Sequence, residues 1–268
     1  LASSAASDVY KRQSITSGKI YNTVLEKERQ GAYLGDTIQV IPHVVNEVKD
    51  AILKIAEQVD ITFVELGWTI GDIEWGHFTE AARQLKKQIG KDNVFYIHVV
   101  PLLYLTFSWE FKTKPIQNSH KELTRLWIQE DMIMCRSDFP LPDGIKEKIS
   151  LFCDIDEEYI IENVNVESIY QLPQLFADQN VHELIQKSMN MEVRQPDLTK
   201  RNKQIDQLLH AEKSITIWIV WKYAKIQDSY ISVVEACMHA WAHHGTKINL
   251  ERIHAEDFED ATKRSEIK

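Results

Sequence analysis

The sequence predicts an α/β protein: a doubly wound, mostly parallel sheet followed by the beginning of a second α/β unit. Short β-rich segments alternate with amphipathic segments along residues 14–190, as in a sheet with helices on both faces. The alternation lapses at 191–213 and resumes over 214–268. We therefore expect two units joined by a linker. Residues 1–13 have no hydrophobic period, and we expect an unrelated leader there.

The elements follow from local patterns. Helices are predicted where apolar side chains recur every three to four residues, and strands where short runs are rich in β-branched residues. In the first unit the predicted helices are 19–29, 43–59, 77–89, 118–126 and 145–153, and the predicted strands are 37–41, 61–66, 94–100, 132–135 and 159–161. Beyond them we expect a short helix at 205–209, a strand at 215–220, a helix at 229–243 and a strand at 247–250.

Composition argues against several function classes. The 268 residues carry a net charge of -9, whereas general nucleic-acid binders are usually basic. The sequence has no apolar run long enough for a membrane span and no visible secretory signal. The cysteines Cys135, Cys153 and Cys237 lack metal-site spacing, so we expect reduced thiols in a cytoplasmic protein.

A lysine-rich stretch, Lys112–Gln117 (KTKPIQ), is a candidate phosphate site. In an extended segment Lys112 and Lys114 would point the same way, beside the Thr113 hydroxyl. Pro115 would stiffen the following turn. Two ammonium groups on one side suit a triphosphate. Taken alone, these six residues fit a solvated turn better.

Two acidic features follow apolar or glycine-containing segments. Glu65 ends an apolar run before Gly67, where a carboxylate could bind magnesium, cap a helix or form an ion pair. Asp72 and Glu74 follow Gly71 and could bind a cation or accept hydrogen bonds from a ribose or an amine. A helix N-terminal cap explains this pair equally well.

Several segments together resemble, in order and spacing, the synthetase (amidoligase) domain of the CTP synthase family. They are 18–21, 27–35, 39–43, 64–67, 69–74, 112–117, 146–153 and 168–170. The resemblance runs from about Ser14 to Glu212, and from Ile215 the chain resembles the start of that family's class I glutamine amidotransferase domain. It implies a P-loop-type amidoligase fold and ATP-dependent amination of UTP to CTP with glutamine-derived ammonia, as in pyrimidine biosynthesis. It also implies Mg²⁺, ATP as co-substrate and a homotetramer. From composition, we expect neither nucleic acid nor membrane as a partner.

The resemblance also implies roles for individual residues. Glu65 would bind magnesium, and Val164, Asn165 and Val166 would contact ATP, although this loop is less polar than in the family. The residues implied to contact UTP and CTP are Asp72, Ile73, Glu74, Lys112, Thr113, Lys114, Pro115, Ile116, Gln117, Lys148 and Phe152. Ile116 replaces the family's usual threonine. From the residues alone, a solvated helix lysine is the better interpretation of Lys148, and a core residue is the better interpretation of Phe152.

The sequence departs from the family in what it lacks. The glycine-rich phosphate loop with its lysine, a segment with a second magnesium ligand, and the glutaminase cysteine, histidine and glutamate are absent from these residues. Cys237 lies within a predicted helix and is not that nucleophile. We therefore expect an inactive fragment, and CTP formation from UTP, ATP and ammonia would contradict this. The alternative is a non-catalytic nucleotide-binding or assembly paralogue.

Six tryptophans fall where the family has glycine: Trp68, Trp109, Trp127, Trp218, Trp221 and Trp241. Two explanations stay open. One is a UGA codon that the source reads as glycine, and the other is a paralogue without catalysis. We expect Trp68 and Trp109 to crowd the nucleotide site, because added bulk in a packed region destabilises a fold.

Overall fold

A computed structural model describes residues 14–67, 69–222 and 230–258 of the chain. The chain forms two compact units. Unit 1 runs to Val166 and also includes Leu175–Gln195, whereas unit 2 comprises Glu167–Gln174 and the residues from Pro196 onward. None of the helices in the described parts of the chain is both long and apolar enough to cross a membrane.

The secondary structure alternates between helices and short strands. The helices are α1 (Ser17–Arg29), α2 (Val45–Ala56), α3 (Gly76–Ile89), α4 (Lys114–Arg125), α5 (Ile145–Cys153), α6 (Leu172–Asp178), α7 (Val181–Ser188), α8 (Thr199–Leu209) and α9 (Ile231–His244). The strands are β1 (Ile97–Pro101), β2 (Leu103–Leu105), β3 (Glu110–Lys112), β4 (Met132–Ser137), β5 (Ile160–Val164), β6 (Lys213–Trp221) and β7 (Thr246–His254).

A parallel sheet with the order β1-β4-β5 forms the centre of unit 1. Its side chains alternate between two apolar clusters, as expected for a strand buried on both faces. Ile133 and Cys135 of β4 join a cluster that includes Ile116 of α4 and Ile149 of α5. On the opposite face, Met132 and Met134 join Ile161, Val181 and Leu184. The sheet therefore has helices packed on both faces.

A second part of unit 1 is a helical cluster. Helices α1, α2 and α3 contribute the buried residues Ile20, Val24, Val45, Val48, Phe78 and Ala81. The spacing of Ile20 and Val24, and of Val45 and Val48, places each pair on one helix face. Thr16 caps α1, with its hydroxyl accepting from the Lys19 amide at 3.3 Å.

Unit 2 contains the two parallel strands β6 and β7, which pair along nine residues, with α9 between them in sequence. The Tyr170 hydroxyl donates to the Glu235 carboxylate and lies 2.6 Å from the His239 ring nitrogen Nε2. These contacts attach residues 167–174 to α9. The amidotransferase identity of this unit stays a prediction.

The mixed α/β architecture with parallel sheets is confirmed, and several element predictions are corrected. Helices α1, α3 and α5 and strand β4 match their predicted positions closely. The predicted strands 37–41 and 61–66 are absent: 61–67 is irregular and Val40–Val44 is a π-helical turn that leads into α2. Neither segment has a paired strand among the described residues, and β-rich composition cannot supply one. Strand 159–161 begins one residue later, after a 3-10 turn.

Two of the glycine-position tryptophans have backbone conformations that favour glycine. Trp109 has φ 53° and Trp127 has φ 60°, in the left-handed region. Trp127 follows the C-terminus of α4, where the Ile128 amide donates to the Leu123 carbonyl at 3.0 Å and the Trp127 amide to the Thr124 carbonyl at 3.0 Å. These two bonds form a Schellman motif, whose left-handed position is usually glycine.

Neither of these two tryptophans overpacks the interior, and the crowding of a nucleotide by Trp109 stays a prediction. Trp109 is 81% exposed and Trp127 is 86% exposed, so neither presses on a core. Their cost lies in the backbone, where a left-handed non-glycine residue loses about 1–2 kcal/mol. Trp68, the other residue expected to crowd the site, lies outside the described residues.

We predict that Trp127→Gly stabilises unit 1. The matched control is Phe107→Gly, which also removes an exposed aromatic ring but from a residue without a positive φ. Both variants add a glycine, so the conformational entropy of the unfolded chain rises equally in both. Only Trp127→Gly also relieves a left-handed residue, so its unfolding free energy should exceed that of Phe107→Gly by about 1–2 kcal/mol. Urea denaturation measures this difference, and equal destabilisation by the two variants would contradict the prediction.

Candidate functional site

The lysine-rich stretch lies at a junction between a strand and a helix. Lys112 ends β3, Lys114 begins α4, and only Thr113 separates them, with φ -86° and ψ -7°. The predicted extended segment is therefore wrong, and the helix begins at Lys114 rather than at residue 118. Pro115 is compatible with this start, because the first turn of a helix needs no backbone N–H donor.

The N-terminus of α4 adds partial positive charge to the lysines. The helix has 12 residues and no acidic side chain in its first turn. Its unpaired amide groups and the peptide dipoles attract anions to this end. Two lysines and a helix N-terminus thus lie within a few residues of each other, an arrangement suited to phosphate groups.

Helix α5 supplies two more of the expected residues. Lys148 and Phe152 are four residues apart, so they lie on one helix face. The Lys114 ammonium lies 5.7 Å from the centre of the Phe152 ring, a cation–π distance. We use the name lysine cluster for Lys112, Lys114, Lys148 and Phe152. The structure therefore brings together the side chains that the sequence placed in separate segments.

Glu110 is the acidic counterpart of this cluster. Its carboxylate accepts a hydrogen bond from Lys112. That bond, followed by the charges of Lys112 and Lys148, holds the pKa of Glu110 below its usual value. Glu110 offsets one of three lysine charges, so the cluster keeps a positive excess for a polyanion. Phe152 is 48% exposed and offers a ring face to a ligand.

Other residues of the stretch lie in the interior. Thr113, Ile116 and Gln117 are no more than 2% exposed. The Gln117 amide donates to the Thr113 hydroxyl at 3.1 Å. These side chains support the beginning of α4 from inside, and their contact with a nucleotide stays a prediction.

The acidic segment from Asp72 to Glu74 approaches α4 farther along the helix than the lysine cluster does. A Cβ on Gly71, whose φ is 99°, would lie 3.7 Å from Glu122 Cγ. Glu122 is eight residues beyond Lys114, about 12 Å along the helix axis. Ile73 is 93% exposed. No described contact joins this segment to the lysine cluster.

Glu65 offers a single exposed carboxylate to a magnesium ion. Among residues 14–67, 69–222 and 230–258, no group of three or more histidine, cysteine, aspartate or glutamate side chains is arranged to hold a metal. Magnesium often binds through one or two carboxylates, with water and substrate phosphates as the other ligands. An exposed carboxylate is compatible with such a site, and magnesium binding by Glu65 stays a prediction.

The expected ATP loop follows β5. The Asn165 backbone amide donates to the Ser137 carbonyl at 3.0 Å, and its side chain donates to Asp138 at 2.5 Å. Val164 ends β5, and Val166 follows Asn165 directly. The loop thus lies where β4 and β5 end, at the carboxyl edge of the sheet, where open α/β sheets bind ligands.

A separate cavity of about 510 Å³ lies beside the C-terminal end of α5. Its lining includes Asp131, Asp154, Asp156 and Tyr159, but none of the lysine cluster. Its acidic lining disfavours phosphate, so the cavity does not compete with the lysine cluster as a nucleotide site.

Sequence reasoning missed a buried polar cluster beneath α4. His98 of β1, His120 of α4 and Glu130 are 7%, 8% and 2% exposed. Both histidines contact one oxygen of Glu130, His120 Nδ1 at 2.9 Å and His98 Nδ1 at 3.3 Å. A histidine within the apolar run of β1 was the one available sequence signal.

These features define an α/β domain with a cluster of lysines at a helix N-terminus. A family model described as CTP synthase N-terminus matches residues 5–191. The chain belongs to the CTP synthase family. The match begins at residue 5, within the segment that we expected to be an unrelated leader.

Curated relatives agree with the family match. The chain is 47% identical over 249 residues to a CTP synthase of Methanocaldococcus jannaschii, covering 93% of this chain and 46% of the relative. It is 46% identical over 246 residues to a CTP synthase of Methanococcus maripaludis, covering 92% and 46%. A CTP synthase of Hydrogenobaculum sp. is 44% identical over 250 residues, with 93% and 47% covered. The chain thus spans about half the length of these relatives.

The cysteines of unit 1 are structural. Cys135 and Cys153 are fully buried in the apolar cluster beneath α4 and α5. Burial raises the pKa of Cys135 to about 12 and that of Cys153 to about 11, so both are thiols at neutral pH. Neither is suited to be a nucleophile, because reactivity requires an accessible thiolate.

We predict that one cysteine reacts much faster than the other two in the folded protein. Cys237 on α9 is partly exposed, and it should react with a thiol-specific disulfide reagent at pH 8. Cys135 and Cys153 should react only after denaturation. Mass spectrometry of the labelled peptides measures the order, and rapid labelling of Cys135 without denaturant would contradict its placement.

Proposed function

We propose that this chain is the part of a CTP synthase that binds the triphosphate of UTP, and of CTP as product and inhibitor. The observation that carries the proposal is the convergence of Lys112, Lys114 and Lys148 on the N-terminal end of α4. Ammonium groups make charge-assisted hydrogen bonds to phosphate oxygens, stronger than neutral ones. Phe152 offers its half-exposed ring to the nucleotide base.

The whole enzyme would use this binding in a three-part reaction. Glutamine hydrolysis releases glutamate and ammonia. The γ-phosphoryl group of ATP moves to the 4-oxygen of UTP, leaving ADP. Ammonia then attacks the 4-carbon, inorganic phosphate leaves with that oxygen, and loss of a proton from nitrogen gives CTP. The contribution of this chain is to hold the triphosphate, because phosphoryl transfer depends mainly on positioning and charge neutralisation.

Other ligands follow from the same proposal. Glu65 would hold Mg²⁺ together with nucleotide phosphates, and magnesium would neutralise phosphate charge during transfer. Val164, Asn165 and Val166 would contact ATP at the carboxyl edge of the sheet, and Asp72, Ile73 and Glu74 would contact CTP. Glutamine would bind in the amidotransferase part. We further propose that the full-length enzyme is a cytoplasmic homotetramer.

A non-catalytic nucleotide-binding paralogue is the second candidate. The observation that favours it is Trp109, a bulky residue in a left-handed conformation three residues before Lys112. Both candidates bind UTP through the lysine cluster. The two candidates are separated by an assay for CTP formation from UTP, ATP and ammonia. The assay uses the protein that the gene encodes together with its flanking sequence.

We predict that Lys114→Ala weakens UTP binding by tenfold or more, because a hydrogen bond to a charged group contributes about 1.5–3 kcal/mol. Lys121→Ala is the matched control, since Lys121 is an exposed lysine further along α4. It removes the same charge from the same helix and should change affinity little. Isothermal titration calorimetry with UTP and Mg²⁺ measures both, and equal losses would place the phosphates elsewhere.

We also predict that Glu110→Gln strengthens UTP binding roughly two- to fivefold, the range expected for releasing an exposed ion pair. Lys112 then has no competing carboxylate, and the cluster gains one net positive charge. The gain should shrink as salt concentration rises, because salt screens exposed charges. Weaker binding by this variant at every salt concentration would show that Glu110 supports the nucleotide rather than competing with it.

A further inference from the structure

The buried cluster beneath α4 is centred on Glu130, which lies between α4 and β4. Its oxygen Oε1 is the shared hydrogen-bond acceptor for His120 Nδ1 at 2.9 Å and His98 Nδ1 at 3.3 Å. Its other oxygen, Oε2, is buried without a hydrogen-bond partner among the described residues. A carboxylate in such surroundings is costly unless its partners compensate for the lost water.

The histidines join two different elements through this carboxylate. His98 lies on β1, and its Nε2 atom is 2.8 Å from the Ser119 hydroxyl of α4. His120 lies on α4 itself. The cluster thus connects the first strand of the sheet to the middle of α4 by two polar routes, one through Ser119 and one through Glu130.

Glu130 is ionised at neutral pH. Burial would raise its pKa, but hydrogen bonds from His98, its own backbone amide and His120 together outweigh burial, so the pKa lies below its usual value. Cys153 of α5 also faces this carboxylate, whose charge helps to raise the pKa of that thiol. The neighbouring Asp131 is engaged elsewhere, with Lys86 at 2.7 Å and the Tyr96 amide at 2.6 Å.

Helix α4 links this buried attachment to the lysine cluster, because it carries both His120 and Lys114. Ile116, Gln117, His120 and Leu123 form its buried face, and Lys114 lies six residues before His120, about 9 Å along the axis. A helix of this length moves as a rigid rod. The position of His120 against β1 therefore sets the position of Lys114 against Phe152 on α5.

We propose that Glu130 is a positioning residue for nucleotide binding: by accepting from His98 and His120, it holds α4 where Lys114 meets the triphosphate. This proposal rests on the proposed function of the lysine cluster. Glu130 itself touches no ligand, because it is buried on the inner side of α4. Its effect on affinity passes through the helix.

The test compares Glu130→Gln with Glu183→Gln. The first variant keeps the shape and removes the charge, whereas the second removes the charge of a partly exposed glutamate that pairs with Lys187 on α7. Glu130→Gln should weaken UTP binding roughly tenfold, a typical coupling between two sites. It should also speed hydrogen exchange of the α4 amides, because exchange reports local opening. Glu183→Gln should do neither.

A purely structural role predicts a different result. Glu130→Gln would then lower the melting temperature but leave the UTP affinity of the folded protein unchanged well below that temperature, and this outcome overturns the proposal. His120→Gln is the second variant if Glu130→Gln does not fold. Where both fold, the double variant should lose less UTP affinity than the two single losses combined, because both changes weaken the Glu130–His120 hydrogen bond.

The pH dependence of folding stability in the same variants should change in a defined direction. The folded pKa of Glu130 lies below the ordinary value of 4.5. Its stabilising contribution is therefore complete above about pH 4.5 and is lost as pH falls through the folded pKa. Glu130→Gln should lack this part of the acid transition, and an unchanged acid transition counts against the proposal.

Failure of the proposed function gives a distinct pattern. If the unaltered chain binds no UTP at all, the nucleotide site is refuted, and hydrogen exchange alone then decides the attachment of α4. Faster exchange in α4 of Glu130→Gln supports the attachment, and unchanged exchange refutes it.

Discussion

The two-sided burial of β4 is the constraint on which the rest of unit 1 depends. Met132, Ile133 and Cys135 are fully buried, and successive side chains enter opposite apolar clusters. Burial of such side chains removes apolar surface from water on both faces of the sheet at once. Because α4 and α5 share one of those faces, their outer surfaces meet at Lys114 and Phe152. The geometry of the site is thus set by the packing beneath it.

The lysine cluster concentrates positive charge on an otherwise acidic chain. The net charge is -9, yet three lysines and a helix N-terminus converge with Glu110 as their counter-charge. A local field of this kind can attract a polyanion even when the whole molecule repels it, because nearby charges dominate in salt solution.

Much of the fold could be predicted from sequence, and the exceptions have physical causes. Helix α5 and strand β4 were predicted closely because a helical apolar period and a short apolar run are local signals. The segments 37–41 and 61–66 have similar composition but no partner strand in the described structure, and pairing is a non-local property. Helix α4 was predicted to begin too late, because its lysine-proline start has no apolar period.

The candidate site, like the fold, was only partly predictable from the sequence. Sequence identified the lysines and Phe152, but the one-residue junction at Thr113 depends on how the β2–β3 hairpin meets α4. The cluster of His98, His120 and Glu130 was missed, since its members come from a strand, a helix and a loop. Burial made those three residues partners, and no local pattern encodes burial of that kind.

Strand β1 has a consequence for the handling of this protein. Its described strand partner is β4, and its outward side chains Ile97 and Val99 are 37% and 58% exposed. An edge of this kind is a template for strands of other molecules, particularly when it is flat and apolar. Parallel pairing also forms slowly, because it joins distant parts of the chain. Refolding at high concentration is therefore expected to favour intermolecular aggregation through β1, and dilution or a charged substitution at Val99 should reduce it.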